Sequence, residues 1–300
     1  MTPGVRGVNA PLAAALEGPW APGAVAKATH DGYNPPMHEP HPTSSVGHAV
    51  VTGASSGIGE AVARALAARG YALTLVARRA DLLDELRASL PTPVRIFARD
   101  LSDSDHAAAF LPEAEAANGP VDVLVNNAGV QYLGAFAELD PADGERLLRL
   151  NVFTPLRLTR AVLPGMLSRG RGAIVDIASL AAIAPTPYMG YYNASKAALA
   201  AASESLRAEV GGSGVHVVTV YPGPVDTPMG QAGYAAYGDS VAVKATPMGT
   251  PEIMAAQIVE ALDDRIDRVI YPKVYWAARW FPGTTRWFLD RFTPRPAAKR

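Results

Sequence analysis

No cysteine occurs in the 300 residues. That excludes disulfides, thiolate metal sites and a cysteine nucleophile, and it fits a reducing compartment, so a cytoplasmic location is expected. Charge is also scarce. Only 18% of residues are Asp, Glu, Lys or Arg, and 27 basic residues face 28 acidic ones for a formal net charge of −1. So even a balance gives no general attraction for nucleic acid, and none is expected as a partner. No uninterrupted apolar run reaches the roughly 18 residues that a membrane span requires. The weakly apolar stretch after Arg6 is interrupted by Glu17 and several prolines, which argues against a cleaved leader. Histidines number six, and four of them (His30, His38, His41, His48) fall near the start of the chain. They read as scattered residues, and no metal site is expected.

What is abundant is apolar: 49% of residues, enough for a large core. It is unevenly arranged. Residues 1–45 are rich in Pro, Gly, Ala and His without a period of 2 or 3.6, as in a disordered, flexible tail, and Met37 is an alternative start. From residue 46 the texture alternates. The apolar runs "HAVVTG", "ALTLVA", "VRIFARD", "VDVLVNNAG", "GAIVDIAS", "VHVVTVYPG" and "RVIYP" read as strands. Between them "GEAVARALAARG", "RADLLDELRASL", "SDHAAAFLPEAEAAN", residues 141–169, "YYNASKAALA" and "PEIMAAQIVEALDD" read as helices, with a kink or split expected at Pro112 and breaks near Pro155 and Pro164. Strands that are apolar throughout, each followed by a helix, predict an α/β fold: a doubly wound parallel sheet covered on both faces. The single domain is expected over 46–272, followed by an aromatic and basic extension over 273–300.

Strand one ends in "TGASSGIG", Thr52 to Gly59. Gly53, Gly57 and Gly59 allow a tight turn and close backbone approach as a helix opens. With Ser55, Ser56 and Ile58 they predict a loop for the pyrophosphate of a dinucleotide. The spacing GxxxGxG is not the GxGxxG form. The same letters contain G-x-S-x-G, so a second reading is a serine hydrolase with Ser55 as nucleophile and His216 as its base. Nineteen residues beyond Gly59, the second strand ends in Arg78 and Arg79 with no acid. Arginine there accommodates a 2′-phosphate, which favours NADP(H) over NAD(H).

"TGASSGIG", "RDLSD", "NNAG", Asn151 in "LNVF", Ser179 in "DIAS", "YNASK" and "YPGPVDTP" follow one another in an order that resembles the short-chain dehydrogenase/reductase family, across roughly 46–272. The resemblance implies a Rossmann-like fold in which Asp100 and Leu101 contact adenine. Asn127, Ala128 and Gly129 would lie along the adenosine half, and Pro222, Gly223, Val225 and Thr227 along the nicotinamide. It also implies a homodimer or homotetramer.

In "YYNASK" the residues four apart on a helix are Tyr192 and Lys196, not Tyr191 and Lys196. A fixed cation beside a phenol favours the phenolate and draws its pKa down toward working pH. Tyr192 is therefore expected as general acid and base, with Ser179 holding the substrate oxygen. By resemblance, Lys196 also binds the nicotinamide ribose and Asn151 positions a water that relays protons to Lys196. The expected reaction is hydride transfer between NADP(H) and a carbonyl or secondary alcohol, with a hydrophobic small-molecule substrate. A non-catalytic NADPH sensor or scaffold is the other reading of the same fold. The segment "MGQAGYAAYGDSVAVKATPMG" reads as a lid. The aromatic extension reads as packing on the pocket, as an oligomer contact, or as a peripheral membrane contact.

Overall fold

The computed structural model describes residues 46–237, 247–294 and 296. The expected tail, with His30, His38, His41 and Met37, and part of the expected lid lie outside them. Seven strands run in parallel: β1 (His48–Thr52), β2 (Ala72–Ala77), β3 (Val94–Ala98), β4 (Val121–Asn126), β5 (Gly172–Ile177), β6 (Val215–Pro222) and β7 (Arg268–Tyr271). Their order across the sheet is β3-β2-β1-β4-β5-β6-β7. The chain winds outward from β1 to β3, then crosses back to β4 beside β1. The β1/β4 boundary is therefore where the winding reverses, and loops leaving their carboxyl ends part to leave a crevice.

Alternate residues of each strand feed opposite cores. Ala49 and Val51 of β1 pack with Leu73, Leu75, Val125 and Val175 beneath α1 (Gly57–Ala68), α2 (Ala80–Ser89) and α8 (Pro251–Asp263). Val50 packs with Val76, Leu124 and Ile174 under α3 (Leu111–Asn118) and α5 (Thr154–Arg169). This double coverage is why the strands are apolar on both sides. α4 (Pro141–Leu148), α6 (Gly190–Glu209) and α7 (Pro228–Tyr237) complete the frame, and α9 (Trp276–Trp280) and α10 (Pro282–Phe292) form the extension.

The expected helix breaks are met in part. The stretch around Pro112 is split: Ser104–His106 is a separate 3-10 turn, and α3 begins at Leu111 with Pro112 in its first turn, where no amide partner is needed. Pro155 likewise sits in the first turn of α5, and α5 runs on through Pro164. The interruption lies instead at Arg149–Phe153, a π-helical turn that buries Asn151 and Val152. His48 belongs to β1 rather than to a tail. Its ring bonds the Gly119 carbonyl at 2.7 Å and the Thr74 hydroxyl at 2.8 Å.

One hydroxyl joins the two strands at the crevice. Thr52 Oγ1 donates to the Val125 carbonyl (3.1 Å) and accepts from the amides of Asn127 (3.0 Å) and Ala128 (3.1 Å). Thr52→Val keeps the shape and strands these groups, so it is expected to cost about 1–3 kcal/mol of stability in denaturant unfolding. An unchanged midpoint would contradict this role.

Candidate active site

The carboxyl ends of β1, β4, β5 and β6 open into one cavity of about 1060 Å³. Its floor begins with the loop after β1. Gly53 and Gly57 hold left-handed backbone, φ +66° and +60°. A side chain at Gly59 would sit 2.3 Å from the Gly53 carbonyl oxygen and 2.4 Å from Asn127 Nδ2. Asn127 Nδ2 itself donates to the Thr52 carbonyl at 2.9 Å and the Gly53 carbonyl at 3.2 Å. The loop is thus pinned to β4, leaving Ser55, Ser56, Gly57 and Ile58 along the cavity.

Arg79, just before α2, donates to Ser55 Oγ (2.9 Å) and Ser56 Oγ (2.8 Å). Arg78 and Arg99 line the same end. Asp100 Oδ1 accepts from the Ser102 amide at 2.9 Å. That bond, and the nearby Arg78 charge after it, hold the Asp100 carboxyl below its usual pKa. Leu101 is buried, its carbonyl accepting from Thr154 Oγ1 at 2.5 Å. Ala128 and Gly129 follow β4 into the cavity, and Pro222, Gly223, Val225 and Thr227 bound it beyond β6.

α6 places the next group. Its buried residues Tyr192, Ser195, Lys196, Leu199, Ala200 and Ser203 repeat at three and four, so one face lies against the sheet. Lys196 Nζ lies 5.8 Å from the Tyr192 ring centroid and donates to the Ile177 carbonyl at 2.7 Å. Ser179, two residues beyond β5, lines the cavity with Tyr192; its Oγ donates to the Pro222 carbonyl at 3.4 Å and accepts from the Ala181 amide at 3.1 Å. Tyr191 points elsewhere, stacked on Phe136 at 5.3 Å between ring centroids.

Asn151 is fully engaged. Its Oδ1 accepts from the Val130 amide (2.9 Å), and its Nδ2 donates to the Val130 carbonyl (2.9 Å) and to Ser195 Oγ (3.1 Å). The π-helical turn thus ties the loop after β4 to α6, and the side chain acts on backbone.

Electrostatics at this end overturn one expectation. The Tyr192 phenol is not drawn down by the ammonium: burial raises its pKa, opposed by the Ser179 hydrogen bond. A phenolate removed from water costs more than a cation facing the ring returns. Burial acts on Lys196 too and lowers it to about 8, with the Asp176 carboxylate opposing. Asp176 lies behind the lysine, its Oδ1 bonded by Asn126 Nδ2 at 2.8 Å, and burial raises its pKa. Sequence reasoning missed this carboxylate, although an acid inside the apolar run "AIVDIA" was a visible signal. It also missed the outer walls: Val130 to Leu133 after β4, Leu180, Ala181 and Ala184 after β5, Met189, and Arg99.

The hydrolase reading fails on geometry. Ser55 lies beyond the carboxyl end of β1, whereas His216 sits near the amino end of β6, paired with Ala173. His216 Nε2 is 3.6 Å from Asp267, and burial lowers its pKa. Among the described residues there is no cluster of acids and histidines fit for a metal, and no helix long and apolar enough to cross a membrane.

Against this geometry, the family model for short chain dehydrogenases matches residues 47–237. The chain belongs to the short-chain dehydrogenase/reductase family of oxidoreductases. It is 40% identical over 189 residues to a short chain dehydrogenase of Pseudocercospora fijiensis, covering 61% of this chain and 60% of that protein. It is 39% identical over 193 residues to a fatty acyl-CoA reductase of Mycobacterium tuberculosis, covering 60% and 63%. Less than two thirds of each of these relatives is spanned. The L-sorbose reductase of Gluconobacter frateurii, solved with NADPH and L-sorbose, superposes with a TM-score of 0.66 at 30% identity, over 76% of this chain and 97% of that one.

Because the folded Lys196 pKa of about 8 lies below the ordinary 10.5, the unfolded chain binds the extra proton between those values. This group therefore adds stability as pH rises through that window. Lys196→Met removes the dependence, so its stability relative to wild type should fall from pH 8 to 10.5 in paired denaturant titrations. A difference constant with pH would contradict the burial of a titrating ammonium.

Proposed function

We propose that the chain is an NADP(H)-preferring reductase of carbonyl compounds, or dehydrogenase of the matching secondary alcohols, with an apolar substrate. The observation that carries the reading is the convergence of Tyr192, Ser179 and Lys196 at the floor of a cavity whose other end holds a glycine loop and paired arginines. The cradle fits a dinucleotide: Gly59 leaves room where any side chain would strike the Gly53 carbonyl, and the unpaired amides at the start of α1 suit an anionic group. Gly53, Ser55, Ser56, Gly57, Ile58 and Gly59 would hold the pyrophosphate region, and Arg78 with Arg79 the 2′-phosphate. Asp100, Leu101, Asn127, Ala128 and Gly129 would flank the adenosine, and Pro222, Gly223, Val225 and Thr227 the nicotinamide. A bound nicotinamide dinucleotide supplies or accepts the hydride.

The chain's own residues handle the proton. Burial keeps the Tyr192 phenol protonated at neutral pH, which suits it to donate to a carbonyl oxygen as negative charge develops there. The Ser179 hydroxyl donates a second hydrogen bond to the same oxygen. Lys196 keeps positive charge beside that oxygen while its own proton remains, below about pH 8. Asn151 acts as a positioning residue, fixing the Val130 loop and Ser195 relative to Tyr192.

Substrate class follows from the walls. Among the described residues the charged side chains lining the cavity are Arg78, Arg79, Arg99, Asp100 and Lys196, all at the cofactor end or the floor. Outward from Tyr192 the described lining is Leu133, Met189, Met229, Tyr237, Leu289 and neighbours, without charge. An uncharged apolar chain carrying the carbonyl fits it. Assembly as a homo-oligomer is supported by Phe153, Leu156 and Leu167, exposed at helical spacing along the π-helical turn and α5.

The decisive trial is a panel of carbonyls and alcohols followed through NADPH absorbance, with NADH in parallel. Tyr192→Phe is expected to lose about a hundred- to ten-thousandfold in kcat while NADPH binding survives. Retained turnover would sink the assignment, and inertness of wild type toward the whole panel would favour the sensor. Arg78→Asp should weaken NADPH binding roughly ten- to a hundredfold and leave NADH binding nearly unchanged, read by cofactor fluorescence. Equal losses for both would deny the phosphate role.

A further inference from the structure

The extension after β7 uses its aromatic residues unusually. Three of the four tryptophans in the chain fall within twelve residues, Trp276, Trp280 and Trp287, and they are 57%, 62% and 60% exposed. Phe281, Phe288 and Phe292 are more than half exposed beside them. The rings form two groups: Trp276 with Trp280 at 5.6 Å, and Trp287, Phe288 and Phe292 at 5.0–6.3 Å. A patch of this kind is too apolar to be an ordinary surface.

It is also held in place. Arg279 lies 3.9 Å from Glu204 and 5.8 Å from the Tyr221 ring, anchoring α9 to the body. Arg286 donates to the Ile183 carbonyl at 3.3 Å, anchoring α10. These helices are docked on the domain while Trp276, Trp280, Phe281 and Trp287 stay largely exposed.

Charge decides what covers the rings. Beyond residue 272 seven Lys and Arg meet a single acid, Asp290, although the whole chain is almost neutral. Pairing this patch with a second copy would oppose like charges. Tryptophan and phenylalanine interspersed with Lys273 and Arg291 match instead the headgroup level of an anionic bilayer. We propose that α9 and α10 seat the enzyme on an anionic membrane surface with the cavity mouth against the lipid. Phe288, Leu289 and Phe292 of α10 line that mouth. An apolar carbonyl substrate dissolved in the bilayer thereby enters past α10 without crossing water. This last step rests on the substrate class proposed above, whereas membrane binding itself does not.

The test is co-sedimentation of the full chain with phosphatidylcholine vesicles, with and without phosphatidylglycerol. Binding is expected to the anionic vesicles alone and to weaken as salt rises. The triple variant Trp276→Ala/Trp280→Ala/Trp287→Ala should lose about tenfold or more in vesicle affinity, with its circular dichroism and NADPH binding intact. Lys273→Glu/Arg291→Glu, which leaves the rings in place, should lose the preference for phosphatidylglycerol. No sedimentation with either vesicle would overturn the proposal. So would a triple variant that binds like wild type, or one that instead dissociates an oligomer in light scattering, which would make this face a contact between copies. Sedimentation requires no turnover, so its failure leaves the reductase reading standing, and an inert enzyme that sediments leaves the membrane reading standing.

Discussion

A buried ammonium governs the floor of the cavity. Lys196 is almost wholly out of water, one helical turn beyond Tyr192, held by the Ile177 carbonyl and by the field of Asp176. Such a charge is costly to bury. Several otherwise unconnected features offset that cost: an acid inside β5, the Asn126 amide that bonds it, and a strand end that turns its last carbonyl toward α6. The same burial keeps the neighbouring phenol protonated. One constraint, exclusion of water from the α6–β5 contact, therefore acts on both the phenol and the cation beside it.

The other constraint is the junction of β1 and β4. Reversal of winding opens a crevice there, and Thr52 and Asn127 tie its two loops together, so the glycine turn and the segment 128–130 keep a fixed separation. Asn151 extends the tie from Val130 to Ser195 on α6. A chain of direct contacts runs from the glycine-loop end of the cavity to its floor. All but the last of its links, Asn151 to the Ser195 hydroxyl, join a side chain to backbone.

Much of this was legible in the sequence because its physics is local. Continuous apolar runs marked the strands, and the four-residue spacing picked out Tyr192, whose ring the structure puts 5.8 Å from Lys196 Nζ, while Tyr191 stacks on Phe136. Proline signals were right only in part. Pro112 and Pro155 stand in the first turns of helices that begin beside a break, whereas α5 runs on through Pro164, and the interruption at Arg149–Phe153 depends on Asn151 reaching a distant loop. The direction of the Tyr192 pKa was also illegible. Spacing reveals a neighbouring cation, but not how completely the fold removes both groups from water. Asp176 was hidden for the same reason, since its partners come from β4 and α6.

Membership in the short-chain dehydrogenase/reductase family fixes the class of chemistry, and the proton donor proposed for it is Tyr192. Placing 3,5-difluorotyrosine at position 192 acidifies that phenol alone and leaves its shape nearly intact. In the alcohol-oxidising direction the phenol must first lose its proton, so the rate rises with pH through its pKa. The account predicts that this rise moves to lower pH in the fluorinated enzyme, with cofactor affinity unchanged. A pH profile identical to that of the parent enzyme would contradict it.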